Sequence, residues 1–386
     1  MDLHEYQTKI LLKKDNIPVP KGAVISNIDE TRDTIAYVGG KEWVLKAQIH
    51  SEGRGKAGGV RIVVDEEELY ATIKSMIGST LITHDNAPQG QPVNQILIEN
   101  RINNIAREIQ IILSINYDTA YIELALTIDD GPSNHQPITH KINIHPLIGL
   151  QSYQCYELFL KLHLDAHQQL PFMTLLKKVY HLFVKKDLTW LNLSPLAITT
   201  HGDFIFLNAK AIVDDRALFR QARIRHMRDI TQEQGRQRRA RQCGFDFTEL
   251  KGPIACLVNG FGSMLSTVDS LHEKAMYPAS FLDLQSNIDQ QSIIEAFQII
   301  LSERPLKAIL VNICTRLTDC NLITEGIVAA IAELHFNLPV VVNLHGYNAK
   351  QALQKFSQNN FGIIISNNIA HAVSHLTQYY DEMKRL

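Results

Sequence analysis

Residues 44–64, VLKAQIHSEGRGKAGGVRIVV, constrain this chain more than any other stretch. Val44–Gln48 reads as a short strand that delivers one lysine, Lys46. Residues 49–59 form a loop with four glycines and two further cations, Arg54 and Lys56, and Val60–Val64 is a β-branched strand that brings the chain back. Two strands joined by a glycine-rich, lysine-bearing loop suit a polyphosphate. Glycines let backbone N–H groups approach its oxygens, and Lys and Arg neutralise them. A plain basic hairpin is the alternative reading. The loop is not a Walker loop, because GxxxxGK[ST] is absent and no helix follows directly, and it is not a Rossmann turn.

At 386 residues the chain is too long for one ordinary core, so two or three domains are expected. A formal net charge of -2 argues against a global polyanion partner, and no nucleic acid is expected. No basic-plus-apolar leader opens the sequence, and no apolar run is long enough for a membrane span. The five cysteines (155, 243, 256, 314 and 320) include no CxxC pair, which reads as reduced thiols in a cytoplasmic protein.

In chain order, Leu3, Tyr6, Ile10 and Leu11 predict a helical stripe over Leu3–Lys14. Ile17–Ile25 is expected as an edge strand, with Pro18 and Pro20 tolerated there. Asp29–Val38 predicts a short helix, and Asp65 is placed to cap another over Glu66–Ile77. Gln95–Glu99 predicts a buried strand ending in an acid. Arg107–Asn116 and Ala120–Ile128 predict a strand pair, followed by a turn-rich loop over Asp129–Pro137. Cys155–Leu162 and Pro171–Lys186 have helical periodicity, and Leu188–Thr199 with Asp203–Lys210 predicts a hairpin about His201-Gly202.

Residues 216–241 hold nine arginines against two acids, Asp229 and Glu233. Two readings are open: a solvated linker helix between domains, or a basic patch for a polyanion or acidic partner. From Lys251 the rhythm changes. Short apolar strands (Ile254–Val258, Ser280–Leu284, Ala308–Ile313, Pro339–Leu344, Gly362–Ile365) alternate with helical patterns, which predicts a parallel sheet covered on both faces. Ligands of such sheets sit off the carboxyl ends of the strands, which picks out the loops after Val258, Leu284 and Ile313.

Eight stretches carry a resemblance: LHEYQ at Leu3–Gln7, WVLKAQIHSEGRGKAGGV at Trp43–Val60, GQPVNQILIE at Gly90–Glu99, HKINIHPLIGL at His140–Leu150, ALFRQ at Ala217–Gln221, VNGFG at Val258–Gly262, FLDL at Phe281–Leu284 and VNI at Val311–Ile313. Together they resemble the β subunit of succinyl-CoA synthetase, the ADP-forming succinate–CoA ligase. The resemblance implies an α/β protein with an N-terminal ATP-grasp domain (1–240) and a C-terminal flavodoxin-like CoA-ligase domain (241–386). It also implies ATP or ADP with Mg²⁺ as cofactors. The implied partner is an α subunit, in an αβ or α2β2 assembly, that holds CoA, much of the succinate site and a transiently phosphorylated histidine.

Position by position, the resemblance implies that Lys46 meets the nucleotide phosphates and that Gly53, Arg54 and Gly55 form the phosphate loop. Glu99 matches the acid at the adenine–ribose end. Glu108 matches a second pocket acid after a one-residue insertion that displaces Ile102, the match for the residue touching adenine. Taken alone, the two glutamates would read as salt-bridged surface acids. Asn259, with Arg316, Leu317 and Thr318, matches the substrate side at the subunit interface.

The departures fall on the chemistry. Where the family reads like IEINPL, this chain has Leu191-Asn192-Leu193-Ser194-Pro195-Leu196. Where it reads LDGK, this chain has Leu207-Asn208-Ala209-Lys210. The implied metal ligands are therefore Ser194 and Asn208, a neutral pair that suits the hard Mg²⁺ cation poorly, so its binding is expected to be weak or lost. The family's FGGI turn is Cys314-Thr315-Arg316-Leu317, and the glycine run after FLD is Gln285-Ser286-Asn287-Ile288. Two functions follow: a ligase β subunit, or a nucleotide-binding paralogue that transfers no phosphate and serves as a regulator or scaffold.

Overall fold

Apolar residues alternate along some strands and run unbroken along others, and the two patterns give two kinds of sheet. The computed structural model describes residues 1–84, 90–128, 137–233, 235–284, 289–302, 306–315, 318–358 and 362–383. The chain divides into two compact units, Met1–Gln232 and Glu233–Leu386.

The first unit runs β1 (Asp2–Leu3), α1 (Glu5–Lys14), β2 (Gly22–Ile25), α2 (Thr31–Val38), β3 (Trp43–Ala47), β4 (Val60–Val63), α3 (Glu66–Met76), β5 (Thr80–Leu81), β6 (Gln91–Pro92) and β7 (Ile96–Asn100). It continues with β8 (Ile105–Asn116), β9 (Tyr121–Ile128), β10 (Ile138–Ile144), α4 (Ser152–Lys161), α5 (Gln169–Lys185), β11 (Leu188–Asn192), β12 (Leu196–Thr199), β13 (Phe204–Phe206), β14 (Lys210–Val213) and α6 (Ala222–Arg225). A small antiparallel sheet has the order β2-β7-β3-β4, and a larger one the order β1-β14-β11-β8-β12-β13, with β9 and β10 added beside β8. Along β9 every second residue, Ile122, Leu124, Leu126 and Ile128, is buried, which is what a sheet with one covered face requires. These residues share a core with Phe172, Val179 and Phe183 of α5.

The expected hairpin β3–β4 forms, with Lys46 opposite Val60. Asp65 caps α3 by accepting the Glu68 N–H at 2.7 Å. The predicted helix Leu3–Lys14 needs correction, because Leu3 pairs with Ala211 in β1 and the helix starts after His4, whose backbone is extended. The predicted buried stripe is also wrong in part. Ile10 is 38% exposed, while Glu5 and Lys9 are buried and satisfied by charge. The run Leu188–Thr199 is not one strand. It breaks at Leu193–Pro195, and β11 and β12 both pair with the long β8, so β13 forms the hairpin with β12 while β14 pairs with β11. Pro195 has no N–H to give a ladder at that break.

The arginine-rich segment forms neither a single helix nor an open patch. Arg220 grips Asp187 at 2.6 Å, Arg228 meets Asp215 at 2.5 Å, Arg236 meets Glu249 at 2.7 Å, Arg239 meets Glu295 at 2.8 Å, and Arg241 pairs with Glu233. Asp187, Glu249 and Glu295 from outside the segment, with the adjoining Asp215 and the segment's own Glu233, thus neutralise five of its nine arginines. Asp129–Asp130 with 131–136, and Gln285–Ile288, lie outside the described residues.

The second unit runs α7 (Gly235–Gln242), β15 (Asp246–Glu249), β16 (Ile254–Val258), α8 (Phe261–His272), β17 (Pro278–Asp283), α9 (Gln290–Leu301), β18 (Ala308–Thr315), α10 (Cys320–Leu334), β19 (Val340–Gly346), α11 (Ala349–Gln358), β20 (Ile363–Ser366) and α12 (Ile369–Met383). Its sheet has the order β15-β17-β16-β18-β19-β20, parallel except for the edge strand β15. Counted in chain order, the parallel strands β16–β20 lie second, first, third, fourth, fifth, which is the flavodoxin-like order. Every residue of β16 is buried because alternate residues serve different cores. Ala255 and Leu257 face α9 and α10, and Ile254, Cys256 and Val258 face α8 and α12.

Gly326 lets α10 lie against α9: a Cβ there would stand 2.7 Å from the Ile293 Cβ. Alanine at 326 gains about 1 kcal/mol of helix propensity, whereas overpacking a filled core costs about 1–3 kcal/mol. Gly326→Ala is expected to lower stability by roughly 1 kcal/mol net. Urea unfolding measures this, and a midpoint raised above wild type would show that the helices can part freely there.

Candidate functional site

The phosphate-loop stretch folds into a tight turn held by its own backbone. The Ala57 N–H donates to Gly53 O at 3.2 Å, Gly58 to Gly55 O at 3.2 Å, and Gly59 to Arg54 O at 2.7 Å. Gly53 and Gly58 take φ of +74° and +82°, a region that excludes most side chains. The amides of residues 53–56 have no acceptor among the described residues, and a Cβ on Gly55 would touch nothing within 4 Å. Successive unpaired N–H groups in such a turn are the material of an anion nest.

Below the loop lies a buried cluster of five charges. Lys46 Nζ donates to Glu5 at 2.7 Å, to Glu99 at 2.8 Å and to Leu207 O at 2.5 Å. Lys9 Nζ reaches Glu99 at 2.5 Å, Glu5 at 2.8 Å and Leu207 O at 2.7 Å. Arg54 donates to Glu5 at 2.7 Å and to Ala47 O at 2.8 Å. Burial pushes the Glu5 carboxyl up, but Lys46, Lys9 and Arg54 outweigh it and hold the group well below the usual carboxylate range. Burial pulls the Lys46 ammonium down, but Glu5 and Glu99 outweigh it and raise the group. For Lys9 burial wins and the ammonium is lowered.

This cluster floors a cavity of about 660 Å³, which is lined by Lys46, Gly53, Arg54, Gly55, Glu99, Ile102, Glu108, Ser194 and Asn208. The small sheet supplies Lys46 and Glu99, and the large one supplies Glu108 and the β11–β12 break that places Ser194. The Glu99 carboxylate, expected beside adenine and ribose, meets Lys46 at 2.8 Å. Sequence reasoning missed Glu5 and Lys9. Their signal was the i,i+4 pair of opposite charges on the helix opening the chain, a spacing that usually marks a solvated face.

The metal-ligand positions are already engaged. Ser194 Oγ accepts the Ile111 N–H at 3.1 Å. Asn208 Oδ1 accepts from Arg54 at 3.2 Å, and its Nδ2 donates to Ser194 O at 3.2 Å. A neutral pair, one member already facing a guanidinium, does not fit a protein-held divalent cation. Among the described residues no group of three or more His, Cys, Asp or Glu side chains could hold a metal. Asn192 Oδ1, also on the cavity wall, is buried without a partner among the described residues.

In the second unit Asn259 lies at the carboxyl end of β16 and Cys314 near that of β18, the point where strand order reverses. Both ends of the Asn259 amide are used there: Nδ2 donates to Cys314 O and Oδ1 accepts the Cys314 N–H, each at 2.8 Å. Asn259 therefore fixes the loop rather than presenting a free amide. Thr318 is buried, with its N–H donating to Thr315 Oγ1 at 3.0 Å. Arg316 and Leu317 lie outside the described residues.

Beside the cavity, His4 Nε2 meets Asp229 at 2.9 Å, and the His4 ring lies against His50 with centroids 4.4 Å apart and the planes tilted by 44°. Burial first, then the His4 charge, pushes the His50 imidazole down to about 3 from 6.5. A lowered imidazole stays neutral in the fold while the unfolded chain takes up a proton below pH 6.5, so stability falls as pH falls towards 3. Glu5 and Asp229, both lowered, add their own losses only below about pH 4.5 and 3.8. The expected slope is up to about 1.4 kcal/mol per pH unit. Urea unfolding at pH 6.5 and 5.0 should show the loss in wild type and a flatter profile in His50→Gln; equal slopes would remove His50 from the account.

The ATP-grasp domain family matches residues 2–198 and the CoA-ligase family residues 257–376. The succinate–CoA ligase [ADP-forming] subunit beta of Coxiella burnetii (strain Dugway 5J108-111) is 40% identical over 385 residues, 98% of each chain. That of Hamiltonella defensa is 37% identical, covering 97% of this chain and 98% of its own. Among solved structures, an ATP citrate lyase from Methanothrix soehngenii in complex with citrate and coenzyme A aligns with a TM-score of 0.63 at 16% identity. It covers 98% of this chain and 99% of its own, a likeness of fold. With two domain families in series and relatives matched end to end, the chain belongs to the family of ADP-forming succinate–CoA ligase β subunits.

Proposed function

We propose that this chain is the nucleotide-handling β subunit of an ADP-forming succinate–CoA ligase. ATP or ADP occupies the cavity of the first unit, with its phosphates on the amides of residues 53–56 and between Lys46 and Arg54. The phosphoryl group passes to a histidine on a partner α subunit, in an αβ or α2β2 assembly, and succinyl-CoA forms from succinate and CoA held mainly by that partner. The protein is cytoplasmic in this reading, and no helix of the described residues is long and apolar enough to cross a membrane. The convergence of the nine sequence-derived positions, from Lys46 to Asn208, on one cavity carries the proposal. A holder of nucleotide that transfers nothing finds no support among the relatives, which bear the ligase subunit's name.

Nucleotide binding and folding can be tested separately. Gly55 is exposed and a Cβ there meets no protein atom within 4 Å, so Gly55→Leu should hold unfolding free energy within about 0.5 kcal/mol. The same side chain fills the space over the amide nest. ADP at 100 times its Kd should stabilise wild type by about 2.7 kcal/mol, a shift of several degrees, and Gly55→Leu by far less. Wild type unmoved by ADP would overturn the nucleotide reading.

At 194 and 208 we infer that the protein offers Mg²⁺ little of its own, since both positions are neutral and hydrogen-bonded. Ser194→Asn together with Asn208→Asp restores a hard-oxygen pair. The double variant should bind nucleotide more tightly in Mg²⁺ than in EDTA, by a margin wild type lacks. Titration calorimetry in the two buffers measures it, and an unchanged margin would show that these positions do not govern metal use.

A further inference from the structure

Lys46 as it stands has no proton left for a ligand. An ammonium has three donors, and Glu5, Glu99 and Leu207 O take all three. Arg54 gives three of its five N–H groups to Glu5, Ala47 O and Asn208. A nucleotide phosphate can engage Lys46 only if the ammonium gives up one of these three partners, two of which are acids, and drawing Arg54 towards it loosens Glu5. Those acids are almost wholly buried, with Glu5 at 3% and Glu99 at 2% exposure, and a buried carboxylate left unpaired is strongly unfavourable. Lys9 already reaches both acids without moving, at 2.5 Å to Glu99 and 2.8 Å to Glu5. It is itself 3% exposed, and it is absent from the cavity wall.

We propose that Lys9 is a positioning residue: a buried counter-ion that keeps Glu5 and Glu99 neutralised when Lys46 and Arg54 turn to the nucleotide phosphates. The proposal rests on the nucleotide reading of the cavity. Charge counting separates it from a merely structural role. The empty cluster holds two acids and three cations. Without Lys9 it holds two of each, so the empty state stays balanced. Once phosphates draw Lys46 and Arg54 away, two buried acids face no cation. Loss of Lys9 therefore acts on the loaded state. Loss of Glu5 acts in the opposite direction, because one competitor for Lys46 and Arg54 disappears.

The test is ADP titration of the full chain by calorimetry, for wild type, Lys9→Met, Glu5→Gln and the double variant, with urea unfolding of each. Lys9→Met should weaken ADP binding on the order of tenfold or more. Glu5→Gln should tighten it, and the double variant should recover most of what Lys9→Met loses. Lys9→Met binding ADP like wild type, or Glu5→Gln weakening it, would overturn the proposal. Should Lys9→Met fail to fold, the sign of the Glu5→Gln effect still decides. If wild type binds no ADP, the nucleotide reading fails before the role of Lys9 is reached.

Discussion

Five buried charges hold the first unit's cavity in shape. Glu5 and Lys9 come from the helix that opens the chain, Lys46 and Arg54 from the central strand and loop, and Glu99 from β7. Lys9 and Lys46 both donate to the carbonyl of Leu207, and Glu5 and Glu99 are anchored on it through them. Taking such groups out of water costs several kcal/mol each. The arrangement survives because each carboxylate meets two or more cations and the carbonyl takes up donors that would otherwise be unmatched. Two acids against three cations leave one positive charge over, which biases the cavity towards anions before any ligand arrives.

The glycine loop depends on that cluster. Its turn is closed by backbone bonds, but its position is set by Arg54, which fastens it to Ala47 O on one side and to Glu5 on the other. The amides of residues 53–56 are thereby held open towards the same space that Lys46 lines. Tight turn and open amides pull against each other in an ordinary hairpin, where the loop would collapse onto its own polar groups. Here the loop's own Arg54, paired with Glu5 outside the loop, ties it down.

Sheet patterning was legible wherever one period acted alone. β9 alternates and has one covered face, and β16 is apolar throughout and has two, so both read correctly from side chains. The lysine strand and the parallel sheet of the second unit were visible for the same reason, whereas its flavodoxin-like character came from the resemblance. The opening helix misled because its buried side is charged: Leu3, Tyr6, Ile10 and Leu11 make a fair apolar stripe, yet Glu5 and Lys9 go inside. Only partners far along the chain, Lys46 and Glu99, make that tolerable, and periodicity has no access to them. The break at Leu193–Pro195 was hidden because both flanking segments are good strand sequence and the long β8 that accepts both is not a local feature. The arginine run deceived likewise, its acids lying elsewhere in the sequence.

The two neutral positions on the cavity wall are better understood with the cluster in view. Asn208 Oδ1 meets Arg54 at 3.2 Å, a hydrogen bond from a cation to a neutral oxygen. An aspartate there would make it a charge-assisted pair on both sides, roughly twice as strong, and would give Arg54 a second carboxylate beside Glu5. The asparagine that offers little to a divalent cation therefore also holds the loop arginine less tightly. In a cavity where Arg54 is shared between Glu5 and the space above it, a weaker grip on Arg54 favours an anion. The loss on the metal side and the gain on the phosphate side come from the same missing charge.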